Sequence, residues 1–350
     1  MQFLSYPVGG TRVKIIVDAM GGDHAPGQVV LGALRSAREM GTEVVLVGRG
    51  EDILRVIDKE GLKEIPYGVE IVNASEVIGI DEEPARSIRQ KKDSSLVVAL
   101  TLLRDGRGGA LVSAGSTGAI LSGATLIVGR VRGIRRAALA PVIPNNQGGF
   151  VLIDCGANSE CSPEYLLQFA YMGSFYAQDV LSAKTPRVGL LNNGAERTKG
   201  TQLQLETYGL LETAAQGGHL NFVGNVEPKE ALKGACDVLV CDGFTGNILL
   251  KSIEGVASFV MAELKNIFLK DAATKLSALL VKRHLSGLRQ KMNPDDVGGT
   301  AMLGISKPVI KAHGSSNQAA ISSAIAQAVK SVETAMAERL HSNMGRMKIE

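Results

Sequence analysis

Six short stretches combine glycine with small polar or charged side chains, each directly after a run rich in Val, Ile or Leu. They are VDAMGGDH (17–24), VSAGSTGA (112–119), IDCGANSE (153–160), LLNNGAERTKG (190–200), VCDGFTGN (240–247) and IKAHGSS (310–316). One such stretch is ordinary turn chemistry: glycine makes the turn and Ser, Asn or Asp caps the next helix. Six in series exceed what turns need, and they point to a binding site built from strand-end loops. Their donors are backbone amides, hydroxyls and carboxamides, the groups that surround an anion. SAGSTGA precedes an apolar helical run, so the amides of Ser116, Thr117 and Gly118 are expected at a helix N-terminus. CDGFTGN repeats that design with Thr245, Gly246 and Asn247. Neither carries the G-x-x-x-x-G-K-[ST] or G-x-G-x-x-G spacing, so the expected anion is phosphate-sized without a nucleotide. In the first stretch Asp18, Asp23 and His24 leave four readings open: nucleotide loop, metal site, acid–base pair or tight turn. His24 and His313 are the two of five histidines that fall in such loops. There is no G-x-S-x-G elbow and no H-E-x-x-H pair.

The elements that must position these loops follow from hydrophobic patterning. Apolar runs predict strands at Val13–Val17, Glu43–Val47, Val69–Val72, Ala110–Ser113, Leu139–Ile143, Phe150–Ile153, Val188–Leu191, Asn221–Val223, Val238–Val240 and Pro308–Ile310. Helical patterns lie between most of them, including Pro26–Met40, Ala85–Leu103, Pro163–Ala183 and Ser315–Arg339. Continuous apolar strands alternating with helices indicate a three-layer α/β/α fold around a mostly parallel sheet. Ligands then bind at the carboxyl edge, where all six loops fall. The chain reads as a 1–12 extension, a single α/β domain over 13–340 and a 341–350 tail, with two lobes sharing one sheet as the other option.

Residues 251–293 break the rhythm, reading as two consecutive helices inserted without a strand. The second sets Val281, Leu285, Leu288 and Met292 on one face. Between Ala272 and Pro294 it carries Lys275, Lys282, Arg283, Arg289 and Lys291 with no acidic residue. This basic amphipathic hairpin suits anionic lipid or a partner subunit. Composition limits the alternatives. The 350 residues are 45% hydrophobic with net charge +3, so no global field favours nucleic acid or membrane. Cysteines 155, 161, 236 and 241 lack paired spacing, which fits a reducing compartment. The opening MQFLSYPVGGTR has no secretory pattern, and no apolar run approaches the roughly 20 residues of a membrane span.

Together VDAMGGDHAP, SAGSTGA, IDCGAN, QFAYMGS, CDGFTGN and KAHGSS resemble, in order from Val13 to Gln327, the motif set of the bacterial phosphate acyltransferase family. The resemblance implies transfer of a long-chain fatty acyl group from acyl carrier protein to inorganic phosphate, giving acyl phosphate for phospholipid synthesis. It also implies an isocitrate or isopropylmalate dehydrogenase-like fold and a homodimer that needs no cofactor or metal. A cytoplasmic location follows, either free or peripheral on the inner face of the membrane beside a membrane acyltransferase partner. The match departs at LLNNGAERTKG, more acidic in the family, where Lys199 and Gly200 survive, and at Ala137, where proline is common.

The chemistry agrees with the residues. Phosphate is already largely anionic near neutral pH, its second pKa being about 6 in monoesters, and a thiol with a pKa of about 8.5 leaves without a strong acid. Catalysis then needs a phosphate cradle, placement and oxyanion donors rather than a covalent nucleophile. On this reading Ser116, Thr117 and Gly118 donate to phosphate or oxyanion, and Asn193 and Lys199 face them. Asp242 and Asn247 orient that shell, while Asp18, Asp23 and His24 form a polar wall. Gly21, Gly22, Ser113, Gly115, Asn158, Gly243, Thr245, Gly246, His313 and Gly314 complete the expected substrate contacts. Arg130, Arg132, Arg135 and Arg136 in GRVRGIRR form either a solvated helix end or a docking patch for the acidic carrier protein. Two competing functions are a nicotinamide-dependent decarboxylating dehydrogenase, which needs a paired-aspartate metal site, and a peripheral membrane scaffold.

Overall fold

The computed structural model describes residues 13–271, 273–278, 281 and 298–347. The expected 1–12 extension and the hairpin positions Leu285, Leu288 and Met292 lie outside the described residues. The strands are β1 (Lys14–Asp18), β2 (Glu43–Gly48), β3 (Val69–Asn73), β4 (Ala110–Ser113), β5 (Ala138–Ala140), β6 (Val142–Ile143), β7 (Phe150–Ile153), β8 (Arg187–Leu191), β9 (Asn221–Val226), β10 (Val238–Val240), β11 (Thr300–Leu303) and β12 (Val309–Lys311). The helices are α1 (Gly27–Met40), α2 (Gly50–Lys59), α3 (Pro84–Gln90), α4 (Ser95–Arg104), α5 (Thr117–Gly123), α6 (Pro163–Val180), α7 (Gln202–Gln216), α8 (Pro228–Lys233), α9 (Gly243–Leu269), α10 (Gln318–Glu333) and α11 (Met336–Ser342).

The α/β class holds, but the strands divide between two sheets in two compact units. One unit is drawn from the chain up to Leu139 and from Gly298 onward, the other from Ala140–Val297. The first contains a seven-stranded sheet in the order β3-β2-β1-β4-β12-β11-β5, and the second a five-stranded sheet in the order β6-β7-β10-β8-β9. The run expected as one strand at Leu139–Ile143 explains the division. Pro141 lacks a backbone N–H and separates β5 from β6, which belong to different sheets.

In the first unit β3, β2, β1, β4 and β12 are parallel neighbours, and β11 runs antiparallel to β12. Ile15, Ile16, Val17, Leu46, Leu111 and Val112 are fully buried, as strands covered on both faces require. A close crossing of α1 and α10 covers part of this sheet. A Cβ on Gly32 would lie 2.6 Å from the Ile321 Cβ, and Ser36 meets Ser322 at 3.0 Å. Two expected helices are each broken in two. Lys91–Ser94 separates α3 from α4, and Ser94 starts α4 afresh by accepting from the Val97 N–H. Ala335 adopts the left-handed conformation, φ 49°, between α10 and α11.

In the second unit β7, β10, β8 and β9 are parallel, and β6 is antiparallel to β7. Helix α6 packs on this sheet through Gly173, whose added Cβ would lie 2.6 Å from the Val238 Cγ1. At the opposite strand ends Arg187 holds Asp237 through its backbone N–H, Nε and Nη2, at 2.8, 3.1 and 2.9 Å. The first part of the expected 251–293 hairpin is the continuous helix α9, which begins eight residues earlier, at Gly243. Residues 273–278 are helical too.

Candidate active-site loops

In the first unit, three loops leave the carboxyl ends of the adjacent strands β1, β4 and β12. Asp18 is paired with Ser113, and Ser113 with Lys311, so three polar side chains stand side by side across the strand ends. Ser113 donates to Asp18 Oδ2 at 2.7 Å and accepts from the Gly115 N–H at 3.1 Å, while Asp18 Oδ1 accepts from the Met20 N–H. Burial pushes the Asp18 carboxyl above its ordinary range. The hydroxyls of Ser95 and Ser113 and the amides of Met20 and Gly21 oppose that rise. Asp18 is therefore a brace for the 113–118 loop.

Glycine is required where these loops touch. A Cβ on Gly21 would lie 2.7 Å from the Gly115 nitrogen and 2.8 Å from Asp18 Oδ2. Gly22 has φ +103°, and its added Cβ would meet the Ala114 Cβ at 2.9 Å. The Asp23 N–H donates to the Gly314 carbonyl at 2.8 Å, which joins the first loop to the third. Asp23 and His24 are exposed beside them, and exposed His313 bonds Ser315 through Nδ1 at 2.8 Å. Ser116 precedes α5 and makes no side-chain cap, so Thr117 and Gly118 begin a helix with no carboxylate on its amides. Gly118 packs against Pro84 of α3, its added Cβ only 2.7 Å from the Pro84 Cγ.

In the second unit the pattern recurs at the adjacent ends of β7, β10 and β8, with the polar groups differently committed. Asp154 is fully buried, and its carboxylate accepts from the N–H groups of Cys155, Ala157 and Asn158 and from Asn158 Nδ2, at 2.6, 3.2, 2.7 and 2.9 Å. The Gly243 N–H donates to the Asn158 carbonyl at 2.8 Å, tying this loop to the 241–247 loop. Asn158, expected to touch phosphate, thus has its carboxamide turned to Asp154. The loop expected as an anion cradle at CDGFTGN carries its own carboxylate at the helix start. Asp242 caps α9, its Oδ1 accepting from the Thr245 N–H at 2.8 Å and its Oδ2 from the Thr245 hydroxyl at 2.7 Å. The Gly246 N–H donates to the Asp242 carbonyl at 3.0 Å. A carboxylate already occupies the positive end of that helix. Gly243 and Gly246 serve close packing against Asp154, and Asn247 lies over Gly156.

The cysteines are thiols held in the packing. Cys155 donates to the Gly246 carbonyl at 3.4 Å and Cys241 to the Asp154 carbonyl at 3.3 Å. Burial, then the Asp154 and Glu254 carboxylates, pushes Cys155 up to about 12, and burial also raises Cys241 well above the ordinary thiol range. The third loop, 192–200, exposes Asn193 and Lys199, with buried Asn192 and Asn225 beneath it. Arg130, Arg132, Arg135 and Arg136 are all exposed in the segment before β5, and Arg130 donates to the Arg135 carbonyl.

Asp154 and Asn192 in these loops, Asn225 in β9 and Ser95 at the start of α4 are polar residues that motif reading passes over. Asp154 had a signal, since IDCGAN repeats the strand–Asp–Gly order of VDAMGG. Asn225 had none, because NFVGNV reads only as a strand. Among the described residues, no group of three or more His, Cys, Asp or Glu is arranged to hold a metal ion.

The family described as fatty acid synthesis protein matches residues 13–339. The phosphate acyltransferase of Brevibacillus brevis is 47% identical over 323 residues, covering 92% of this chain and 94% of that protein. That of Alkaliphilus oremlandii is 44% identical over 330 residues, covering 94% and 96%. Among solved structures, a phosphotransacetylase from Streptococcus pyogenes superposes with a TM-score of 0.61 at 17% identity, covering 94% of each chain. The 4-hydroxythreonine-4-phosphate dehydrogenase of Klebsiella pneumoniae gives 0.52 at 12%, covering 93% of this chain and 98% of that one. These structural likenesses speak to the fold.

Proposed function

Because the chain belongs to the phosphate acyltransferase family of fatty acid and phospholipid synthesis, we propose that it moves a long-chain fatty acyl group from acyl carrier protein directly onto inorganic phosphate. In that step a phosphate oxygen attacks the thioester carbonyl and the carrier thiolate departs, leaving acyl phosphate. The observation that carries the direct route is the state of the loops. The 113–118 loop is braced from below by Asp18 and Ser113, while Ser116 and the first amides of α5 carry no side-chain cap. Oriented donors of this kind suit phosphate and a developing oxyanion. Cys155 and Cys241, by contrast, are turned to carbonyls and raised in pKa by burial, which makes them poor nucleophiles.

Lys199 supplies a flexible cation for phosphate, and Asn193 a neutral donor beside it. Asp18, Asp154 and Asp242 act as organisers of amides rather than as acids. The four exposed arginines at 130–136 steer the acidic carrier protein, and a second copy of the chain covers the exposed apolar side chains of α9. Among the described residues no helix is long and apolar enough to cross a membrane. The proposed location is the cytoplasm, with membrane contact confined to the surface and to a membrane-bound enzyme that consumes the acyl phosphate.

The test is chemical. Purified enzyme, acyl-carrier thioester and phosphate are incubated with hydroxylamine, which traps acyl phosphate as a hydroxamate. Hydroxamate that forms only with both enzyme and phosphate supports the reading; free fatty acid in its place would refute it.

A further inference from the structure

We propose that Asn192 and Asn225, buried beneath the 193–200 loop, are positioning residues that fix Lys199 for phosphate; this rests on the functional reading above. Asn192 grips the loop at both ends. Its Oδ1 accepts from the Asn193 N–H at 2.8 Å, and its Nδ2 donates to the Lys199 carbonyl at 3.0 Å. Asn225, at the end of the neighbouring strand β9, holds the middle by donating to the Glu196 carbonyl at 2.8 Å. The Lys199 N–H donates to that same Glu196 carbonyl at 3.1 Å. Both ends of the Lys199 residue's own backbone are thereby tied, its N–H within the loop and its carbonyl to the strand end below.

The arrangement is more than a turn requires. Both asparagines are 7% exposed, whereas Asn193 and residues 195–200 above them are exposed. Burying a carboxamide is unfavourable unless its hydrogen bonds are made, yet Asn225 Oδ1 has no partner among the described residues. The closeness of the loop to Asn192 imposes a further constraint. Gly200 has φ +96°, and a Cβ there would lie 3.0 Å from both Oδ1 and Nδ2 of Asn192. The loop thus passes directly over the buried amide. Such a clamp leaves the lysine side chain in solvent while fixing the backbone from which it springs. The ordering that anion binding would otherwise demand of the loop is already done.

The test is a double-mutant cycle between N192D and K199A in the full-length enzyme, varying phosphate and acyl-carrier thioester in turn. The Asn192→Asp swap keeps the shape and places an acceptor against the Lys199 carbonyl. We expect N192D to raise the KM for phosphate tenfold or more and to change that for the thioester less than twofold. In the K199A background the same swap has less than a twofold effect. N225D acts in the same direction, and N192D regains phosphate affinity in acid, where a protonated carboxyl can donate again. Should N192D fail to fold, N225D taken through the same cycle with K199A carries the same expectation. Equal effects of the swap with and without Lys199, or proportional loss of both substrates with the folded fraction, would overturn the proposal. Wild-type enzyme that consumes thioester without phosphate would overturn the functional reading instead.

Discussion

Asp18 closes β1 and Asp154 follows β7, equivalent places in the two sheets, yet their surroundings assign them different work. Asp18 shares its proton-accepting capacity with hydroxyls and rises in pKa with burial, whereas Asp154 accepts four hydrogen bonds from a single turn. Asp154→Ala removes the carboxylate that accepts from those four donors, the Cys155 N–H buried and the other three part-buried. With unpaired buried donors costing about 1–3 kcal/mol each, the variant should lose at least about 3 kcal/mol in urea unfolding. A change below 1 kcal/mol would show that water replaces the carboxylate freely. Sequence reading found the loops because glycine after an apolar run is a strong local signal. It could not rank Asn192 against Asn193, since adjacent asparagines differ only in which way the strand end turns them. Nor could it see that Asn158 spends its carboxamide on Asp154, a contact made by the turn itself.

Helix α3 gives the 113–118 loop a second support beside the Asp18 brace. Pro84 of α3 packs on Gly118, and Glu82 just before it gathers Lys91 Nζ, the Gly79 N–H and the Ser87 hydroxyl at 2.7, 2.6 and 2.9 Å. The Lys91 hydrogen bond, then those of Gly79 and Ser87, draw the Glu82 carboxyl from about 4.5 down to about 2. A depressed carboxylate pKa contributes stability that is full above the unfolded value and lost as pH falls through the folded one. Glu82→Gln should therefore destabilise the protein at pH 7, and the gap to wild type should close between pH 4.5 and 2. Thermal melts across that window check it, and a gap independent of pH would contradict the assignment. This corner also marks where periodicity misleads. Ala85–Leu103 is apolar enough to read as one helix, but the Lys91–Ser94 turn and the Ser94 cap divide it. The two CDGFTGN and SAGSTGA helix starts look alike in sequence, and only the capping geometry of Asp242 distinguishes them.

For the whole molecule, the strand–helix alternation made the α/β class legible, while the division into two sheets turned on Pro141, within a run that pattern alone reads as one strand. Helix α9 contributes only Gly243 and Gly246 to the buried residues of its unit, and leaves Val256 and Phe259 63% and 66% exposed. If a second copy covers α9 as proposed, Val256→Asp with Phe259→Asp should halve the mass seen by light scattering. An unchanged mass would move the partner surface elsewhere, and loss of vesicle binding at constant mass would assign the helix to lipid. Arg132→Glu with Arg135→Glu should slow association with the acidic carrier at least fivefold at low salt and flatten its salt dependence. Unchanged stopped-flow rates would leave those arginines as surface alone.

In the proposed reaction phosphate itself attacks the thioester, and the first turnover tests this. Enzyme at micromolar concentration is mixed rapidly with acyl-carrier thioester, and free carrier thiol is followed with and without phosphate. Direct attack predicts no thiol release in the absence of phosphate and saturable release in its presence. A phosphate-independent burst of one thiol per enzyme would reveal an acyl-enzyme and rule out direct attack.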